Sequence, residues 1–217
     1  PPSSDMPKLA GAAAPSCSTT SANAWHPVRA QGVTAVTDSR RGSPAPLSFG
    51  MHDSTYFGEQ HLAVREMVRE FAREEVAPVA SEFDASQKFP WRTVRRMADL
   101  GLLGIPWDES LGGAGLDTTA FMIAIEEMAR IDASHAIVIS AHTTLGTSPI
   151  VNFGTEDQKR RYVPMLASGR VLGGFGLTEP GAGSDAAGTQ TTAVKQGDRY
   201  VLNGSKRFIT HGGVGEV

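Results

Sequence analysis

This 217-residue sequence has one cysteine, no long apolar run and only a small net charge. The single cysteine, Cys17, excludes an internal disulfide framework and a cysteine-based metal cluster. No apolar run approaches the roughly 18 residues that a membrane-spanning helix requires. The net charge is −3, whereas a dedicated nucleic-acid binder usually carries a basic excess. A hydrophobic share of 40% instead favours a soluble globular protein.

Residues 1–50 differ in composition from the rest of the chain. They hold seven of the 13 prolines, and Ser, Thr, Ala and Gly make up most of the remainder. No helical or strand period persists there, so we predict a disordered or non-native leader over 1–50, with Met51 as the natural start. An Arg-containing, acid-poor leader is also typical of an organellar transit peptide, which stays the alternative.

Residues 51–169 carry a helical pattern and are expected to form an N-terminal helical domain. Apolar residues recur at helical spacing after Gly58, until Pro78 ends or kinks the helix. A second helix is predicted to begin at Pro90. Asp117 and Asp132 are suitable N-caps, the latter for a helix over 133–145 that is apolar on nearly every side. The capping-box sequence Thr155-Glu156-Asp157-Gln158 opens a further helix, so at least five helices are expected.

The period changes to two after Gly169, which predicts strands over 172–177, 189–195, 199–202 and 206–210. Gly197-Asp198 and Asn203-Gly204 are hairpin turn dipeptides. The predicted fold class is therefore α+β, an all-α helical bundle followed by the beginning of an antiparallel β-barrel-like domain over 170–217. Strands this few and short leave exposed edges, so we expect the β domain to continue beyond Val217.

Two segments of the β region could carry chemistry. Residues 175–185 read FGLTEPGAGSD, a glycine-rich loop that can present N–H groups and hydroxyls to a polar ligand, although such a loop is more often only a turn. Residues 203–210 read NGSKRFIT, in which a strand would place Phe208 and Thr210 on one face and Ile209 on the other. An aromatic ring beside a hydroxyl suits a flat heteroaromatic cofactor, but ordinary strand alternation explains the pattern equally well.

Other candidate groups carry weaker signals. Glu126 and Glu127 are neighbours on a helix and point about 100° apart, which favours a solvated or helix-pairing role over a catalytic pair. Glu179 is assigned a structural, loop-ordering role. His135 and His142 share one helix face without a third ligand at suitable spacing, so no metal site is predicted.

Taken together and in this order, the two segments resemble the acyl-CoA dehydrogenase family of flavoproteins. The resemblance extends over roughly 56–217 and includes the helical start, 100–106 (LGLLGIP), 111–115 (LGGAG) and 154–159 (GTEDQK). It implies a three-part fold with a helical domain, a middle β domain and a C-terminal helical bundle that this chain lacks. The chain is therefore identified as an amino-terminal fragment of a family member.

The family resemblance implies an FAD site between the β domain and the missing bundle. By motif matching, its cofactor-binding residues are Phe175, Leu177, Thr178, Gly183, Ser184, Phe208, Ile209 and Thr210. Ser184 is also the position that meets the acyl-CoA substrate, and Thr178 would hydrogen-bond the flavin ring. Many family members have Trp where this chain has Phe208, which removes an indole N–H donor. No catalytic residue is assigned, because the family's base, a Glu, is most often in the missing bundle.

The implied activity is FAD-dependent α,β-dehydrogenation of fatty or branched acyl-CoA thioesters, with the fragment inactive alone. The implied partners are acyl-CoA, electron-transfer flavoprotein and further copies in a homotetramer. A bacterial-type cytoplasmic location is favoured, with the mitochondrial matrix as the alternative. Two other readings stay open: an acyl-CoA oxidase or flavin monooxygenase on the same scaffold, and a non-catalytic helical binding module.

Overall fold

The structure, a computed structural model, describes residues 56–217. The predicted leader over 1–50 and the predicted start at Met51 lie outside these residues. The described part contains seven α-helices, two π-helical segments, two short 3-10 helices and one antiparallel pair of strands. No helix within 56–217 is long and apolar enough to cross a membrane. The predicted α+β class, with helices first and a small antiparallel sheet second, is confirmed.

The first helical stretch continues past Pro78. Helix α1 spans Glu59–Phe71, a π-helical segment follows at Ala72–Val76, and α2 spans Ala77–Ser86. The helix does not end at Pro78, because Pro78 is the second residue of α2 and stands where an N–H is dispensable. The alternative, a kink at this proline, stays a prediction. The preceding turn is wide, with the Ala77 N–H donating to the Ala72 carbonyl five residues back.

The helix predicted at Pro90 is confirmed within one residue. Helix α3 spans Trp91–Asp99, with Pro90 at its N-cap, and Gly101 follows it at φ 73°. The loop to residue 116 contains a 3-10 turn at Glu109–Leu111. Gly113 is required in this loop, since a Cβ there would lie 2.0 Å from the Trp107 carbonyl oxygen.

Three predicted caps are present where the sequence places them. Asp117 accepts the Ala120 N–H at 2.9 Å and opens α4, Thr118–Ala129. Asp132 accepts the His135 N–H at 3.1 Å and opens α5, Ala133–Ala141. Thr155 and Gln158 bond each other's backbone N–H groups at the start of α7, which spans Glu156–Ala167. Side chains that satisfy the free N–H groups of the first turn therefore fix these boundaries.

The predicted end of a helix at Leu145 was wrong. After α5 the chain continues as a π-helical segment, His142–Thr147, and then as α6, Ser148–Phe153. Pro149 is the second residue of α6, as Pro78 is of α2. The Thr147 hydroxyl donates to the His142 carbonyl at 2.9 Å, which satisfies an acceptor in the wide turn.

The helical region has one hydrophobic core, to which α1, α3, α4 and α5 contribute most. Val68, Met97, Met128 and Ile139 are fully buried in it. Burying each side chain of this size contributes roughly 1.5–3 kcal/mol. A partly buried ion pair crosses the α1–α4 contact: Arg69 donates two hydrogen bonds to the Glu127 carboxylate, at 2.8 and 3.0 Å. Glu127 therefore pairs two helices, whereas Glu126 is exposed.

The β region forms one hairpin. Strand β1, Thr192–Gln196, pairs antiparallel with β2, Arg199–Asn203, and Val194 stands opposite Val201. The hairpin turn predicted at Gly197-Asp198 is confirmed, with Gly197 at φ 64°. Leu202 is 70% exposed and Val194 is 51% exposed, so neither strand face is covered within the described residues.

Two predicted strands and one predicted turn were wrong. Residues 172–177 form no strand, and only Leu172 and Gly174 among them bond the backbone at 216–217. Residues 206–210 are irregular, because the positive φ of 55° at Phe208 breaks a strand path. Gly204 is not a hairpin turn but a close approach, since a Cβ there would lie 2.1 Å from Thr191 Oγ1.

Candidate functional site

A cavity of about 190 Å³ lies between two segments of the β region and the end of α5 with the π-helical segment that follows it. We call it the aromatic cavity. One wall comes from Ala141 and Leu145, and the other walls come from residues 174–178 and 208–210. Its lining residues are Ala141, Leu145, Gly174, Phe175, Leu177, Thr178, Phe208, Ile209 and Thr210.

Six of the eight residues that the sequence nominates as cofactor contacts line this cavity. They come from two segments separated by about thirty residues, and they are Phe175, Leu177, Thr178, Phe208, Ile209 and Thr210. Gly183 and Ser184 do not line it and lie instead on the exposed loop before the 3-10 turn at Ala186–Gly188. The predicted separation of Ile209 from Phe208 and Thr210 was wrong, because the irregular backbone lets all three border the cavity.

The walls of the aromatic cavity are apolar and solvent-exposed. Phe208 is 91% exposed, and Phe175, Leu177 and Leu145 are each more than 40% exposed. Large apolar side chains gathered in this way usually mark a surface that binds something. Thr178 and Thr210 add two hydroxyl groups that can donate or accept hydrogen bonds. The arrangement therefore suits a flat, mostly apolar group that carries a few polar atoms.

Sequence reasoning missed the helical wall. The pattern over 133–145 predicted a helix that is apolar on nearly every side and singled out neither Ala141 nor Leu145, whereas both line the cavity and Leu145 is 45% exposed. The sequence feature that could have indicated this wall is that the helix is apolar on more faces than a contact with the core requires. Such a pattern does not distinguish a face that meets the core from a face that meets a ligand.

Glu179 orders the loop behind the cavity. Its carboxylate accepts the backbone N–H groups of Gln190 at 2.7 Å and Thr191 at 2.9 Å, and it accepts from Lys206 Nζ at 2.8 Å. Lys206 Nζ also donates to the Leu177 carbonyl at 3.0 Å. The Gln190 N–H, with Lys206 and Thr191, lowers the pKa of the Glu179 carboxyl from 4.5 to about 2. The sequence-based assignment of Glu179 to loop ordering agrees with these contacts.

Two buried histidines hold the chain where the helical region passes into the β region. His142 Nδ1 accepts the Gly173 N–H at 3.1 Å, and its Nε2–H donates to the Leu166 carbonyl at 3.0 Å. His211 Nδ1–H donates to the Gly173 carbonyl at 2.8 Å. Burial lowers the pKa of His142 from 6.5 to about 4 and also lowers the pKa of His211. Both rings are therefore neutral at pH 7.

A larger cavity of about 400 Å³ lies beside the aromatic cavity and shares Thr210 with it. Among its lining residues, His135 pairs with Asp132 through Nδ1 and with Thr93, outside the lining, through Nε2. Among residues 56–217 there is no group of three or more His, Cys, Asp or Glu side chains that could hold a metal ion. The aromatic cavity is thus the better candidate site, because the two nominated segments converge there.

Comparison with known families agrees with the motif content of the chain. The model of the acyl-CoA dehydrogenase N-terminal domain matches residues 58–170, and that of the middle domain matches residues 174–217. This chain belongs to the acyl-CoA dehydrogenase family. Family membership places the aromatic cavity in the part matched by the middle domain, with one wall from the N-terminal domain.

Individual acyl-CoA dehydrogenases support the same assignment. An acyl-CoA dehydrogenase of Bacillus subtilis is 47% identical over 159 residues, covering 73% of this chain and 42% of that protein. The structure of butyryl-CoA dehydrogenase from Megasphaera elsdenii is 39% identical with a TM-score of 0.70, covering 73% and 43%. The structure of a Bacillus anthracis acyl-CoA dehydrogenase complexed with FAD is 38% identical with a TM-score of 0.67, covering 75% and 28%. The chain therefore spans less than half the length of these relatives.

Proposed function

We propose that this chain is the amino-terminal part of an FAD-dependent acyl-CoA dehydrogenase. The whole protein would convert fatty or branched acyl-CoA thioesters to enoyl-CoA. The observation that carries the proposal is the convergence of Phe175, Leu177 and Thr178 with Phe208, Ile209 and Thr210 on one cavity. These two groups lie far apart in the sequence and match the flavin-contact motifs of the family.

The residues of the aromatic cavity fit an isoalloxazine ring. Phe175, Leu177 and Phe208 offer exposed apolar surface to its faces, and the Thr178 and Thr210 hydroxyls can bond its polar edge. The volume of about 190 Å³ lies below the roughly 300–1,000 Å³ of a complete ligand pocket. We infer that a C-terminal helical bundle, as in the family pattern, supplies the rest. The flavin, when bound, would supply the hydride acceptor.

The chain itself would hold and orient the cofactor rather than move the proton. Glu179 is unsuited as the base that removes an α-proton, because its carboxylate accepts three hydrogen bonds and its pKa of about 2 makes it a weak base. Glu127 is held by Arg69 on the α1–α4 contact, away from the cavity lining. We propose that the catalytic base is a Glu of the C-terminal domain.

The finer parts of the proposal follow the family pattern. Ser184 would meet the acyl-CoA and, with Gly183, approach the cofactor once a longer chain orders their exposed loop. Residues 51–169 and 170–217 would be the helical domain and the start of the β domain, after a leader over 1–50. Electron-transfer flavoprotein would accept the electrons from a homotetramer in a bacterial-type cytoplasm, with the mitochondrial matrix as the alternative.

The proposal is tested by expressing the full-length protein and recording its visible spectrum. We expect a bound-flavin spectrum, and bleaching of the flavin on addition of butyryl-CoA without oxygen. Rapid reoxidation by electron-transfer flavoprotein but slow reoxidation by oxygen would support a dehydrogenase, whereas rapid reoxidation by oxygen would indicate an oxidase or monooxygenase. A colourless protein that binds no FAD would overturn the proposal in favour of a binding module.

The inactivity of the fragment has its own test. The purified 217-residue chain, supplied with FAD and butyryl-CoA, should show no dehydrogenation, because it lacks the proposed base and part of the cofactor site. Measurable enoyl-CoA formation by this chain would contradict the assignment of the base to the C-terminal domain.

A further inference from the structure

The two segments that wall the aromatic cavity are joined behind it by a polar cluster. Lys206 Nζ lies 3.0 Å from the Leu177 carbonyl oxygen and 2.8 Å from Glu179 Oε1. Glu179 in turn accepts the N–H groups of Gln190 and Thr191. We call these five residues the Glu179–Lys206 clamp. It connects the stretch 177–179, the chain entering β1 and the start of the segment 206–210.

Burial makes the geometry of this clamp demanding. The Glu179 side chain is 7% exposed and the Lys206 side chain is 28% exposed. The stem of Lys206 passes Gly176, where a Cβ would lie 3.4 Å from Lys206 Cγ. Charge-assisted hydrogen bonds in such surroundings are stronger than exposed ones and fix the position of both partners.

The clamp residues stand next to cavity residues along the chain, and Leu177 belongs to both groups. Leu177 and Thr178 precede Glu179 directly, and Phe208 follows Lys206 by two residues. Between them, the Arg207 N–H donates to the Thr178 carbonyl at 2.8 Å. A shift of Lys206 therefore moves Phe208 relative to Thr178, and the width of the aromatic cavity changes with it. No regular ladder holds 206–210 in place, since these residues form no strand.

We propose that Lys206 is a positioning residue for the cofactor site. It acts through the Leu177 carbonyl and the Glu179 carboxylate and does not line the cavity itself. The inference rests on the proposed function, because the positioned cofactor is the flavin. It predicts that loss of the Lys206 ammonium group weakens FAD binding and alters the environment of the bound flavin ring.

The test compares four forms of the full-length protein: wild type, Lys206→Met, Lys206→Arg and Lys195→Met. Lys195 lies exposed on β1 and serves as the matched control. FAD affinity is measured by titrating each apoprotein and following the flavin fluorescence. We expect Lys206→Met to weaken FAD binding about tenfold or more, the effect of losing hydrogen bonds to charged groups. Lys206→Arg should recover most of the affinity, and Lys195→Met should match wild type.

The visible spectrum of the bound flavin separates positioning from simple stabilisation. A merely structural Lys206 would lower the thermal stability of the apoprotein but leave the spectrum of the bound flavin unchanged. Wild-type affinity and spectrum in Lys206→Met would overturn the proposal. If circular dichroism shows that Lys206→Met does not fold, Glu179→Gln is measured in its place. Weaker FAD binding and a shifted flavin spectrum in Glu179→Gln would support the proposal, and wild-type affinity and spectrum would overturn it.

Failure of this inference is distinguishable from failure of the proposed function. Wild-type protein that binds FAD, alongside Lys206 variants that bind it equally well, removes only the positioning role. Wild-type protein that binds no FAD removes both.

Discussion

The helical region, residues 58–169, and the β region, residues 170–217, are stabilised by different contacts. Among the described residues, the buried hydrophobic side chains belong to the helical region except for Leu172 and Ala182. The β region instead depends on polar ties, namely the Glu179–Lys206 clamp and the His211 bond to Gly173. The helical region therefore has its own hydrophobic core, whereas polar contacts hold the β-region walls of the aromatic cavity in place.

The largest effect should come from a cavity in the helical core. Met97 is fully buried in α3, so Met97→Ala removes apolar contacts that the surroundings cannot replace. We expect the free energy of unfolding to fall by about 2–5 kcal/mol, measured by urea denaturation. Met122→Ala in α4 is the matched control, because Met122 is 55% exposed, and it should change stability by about 0.5 kcal/mol or less. Equal effects of the two variants would contradict the location of the core.

Acid should next weaken the junction between the two regions. The pKa of His142 lies near 4 in the folded state and near 6.5 when unfolded, so below pH 6.5 the unfolded state gains protons first. The contribution of neutral His142 to the free energy of unfolding is therefore fully present above pH 6.5. It is lost as pH falls towards 4, and the total loss is about 3 kcal/mol. His211 contributes in the same direction. Unfolding free energies measured from pH 7 to pH 4.5 should show a smaller slope for His142→Gln than for wild type.

Glu179 makes the stability of the β region depend on pH in a second, lower pH range. Its folded pKa of about 2 lies below its ordinary value of 4.5, so its contribution is present above pH 4.5 and is lost as pH falls towards 2. His142→Gln should leave the pH dependence of unfolding between pH 4.5 and pH 2 unchanged. Loss of the pH dependence in both ranges in this variant would show that the junction and the clamp do not titrate independently.

The smallest effect should come from the hairpin. Leu202 is 70% exposed on β2 opposite Ala193, so Leu202→Ala removes little buried surface. We expect a change within about 0.5 kcal/mol in the 217-residue chain, measured by the same urea denaturation. A decrease in the free energy of unfolding of more than about 2 kcal/mol would contradict the difference between the two regions, because it would reveal a second hydrophobic core in the β region.

The sequence predicted those parts of the fold that local chemistry decides. Asp117, Asp132 and Thr155 cap helices because each side chain bonds N–H groups within three residues, and Gly197 turns because it accepts a positive φ. The strands expected over 172–177 and 206–210 required partners that residues 170–217 do not provide. Alternation alone therefore overestimated the sheet.

The candidate site was predicted mainly through the family motifs. They nominated Phe175 and Phe208, which periodicity alone would have read as ordinary strand residues. The helical wall at Ala141 and Leu145 escaped both approaches, because apolar periodicity does not say what an apolar face meets. Gly183 and Ser184 lie away from the cavity in this chain, so their roles stay a prediction for the full-length protein.

The π-helical segments Ala72–Val76 and His142–Thr147 have a consequence for how the chain tolerates deletion. Each behaves as one extra residue in an otherwise α-helical path, just before a proline. A π turn holds about one residue more than an α turn, so the wide turn absorbs the extra residue and the helix resumes in step after it. Removing one residue from 142–147 should therefore convert this segment to α-helix while α6 keeps the same face towards its neighbours.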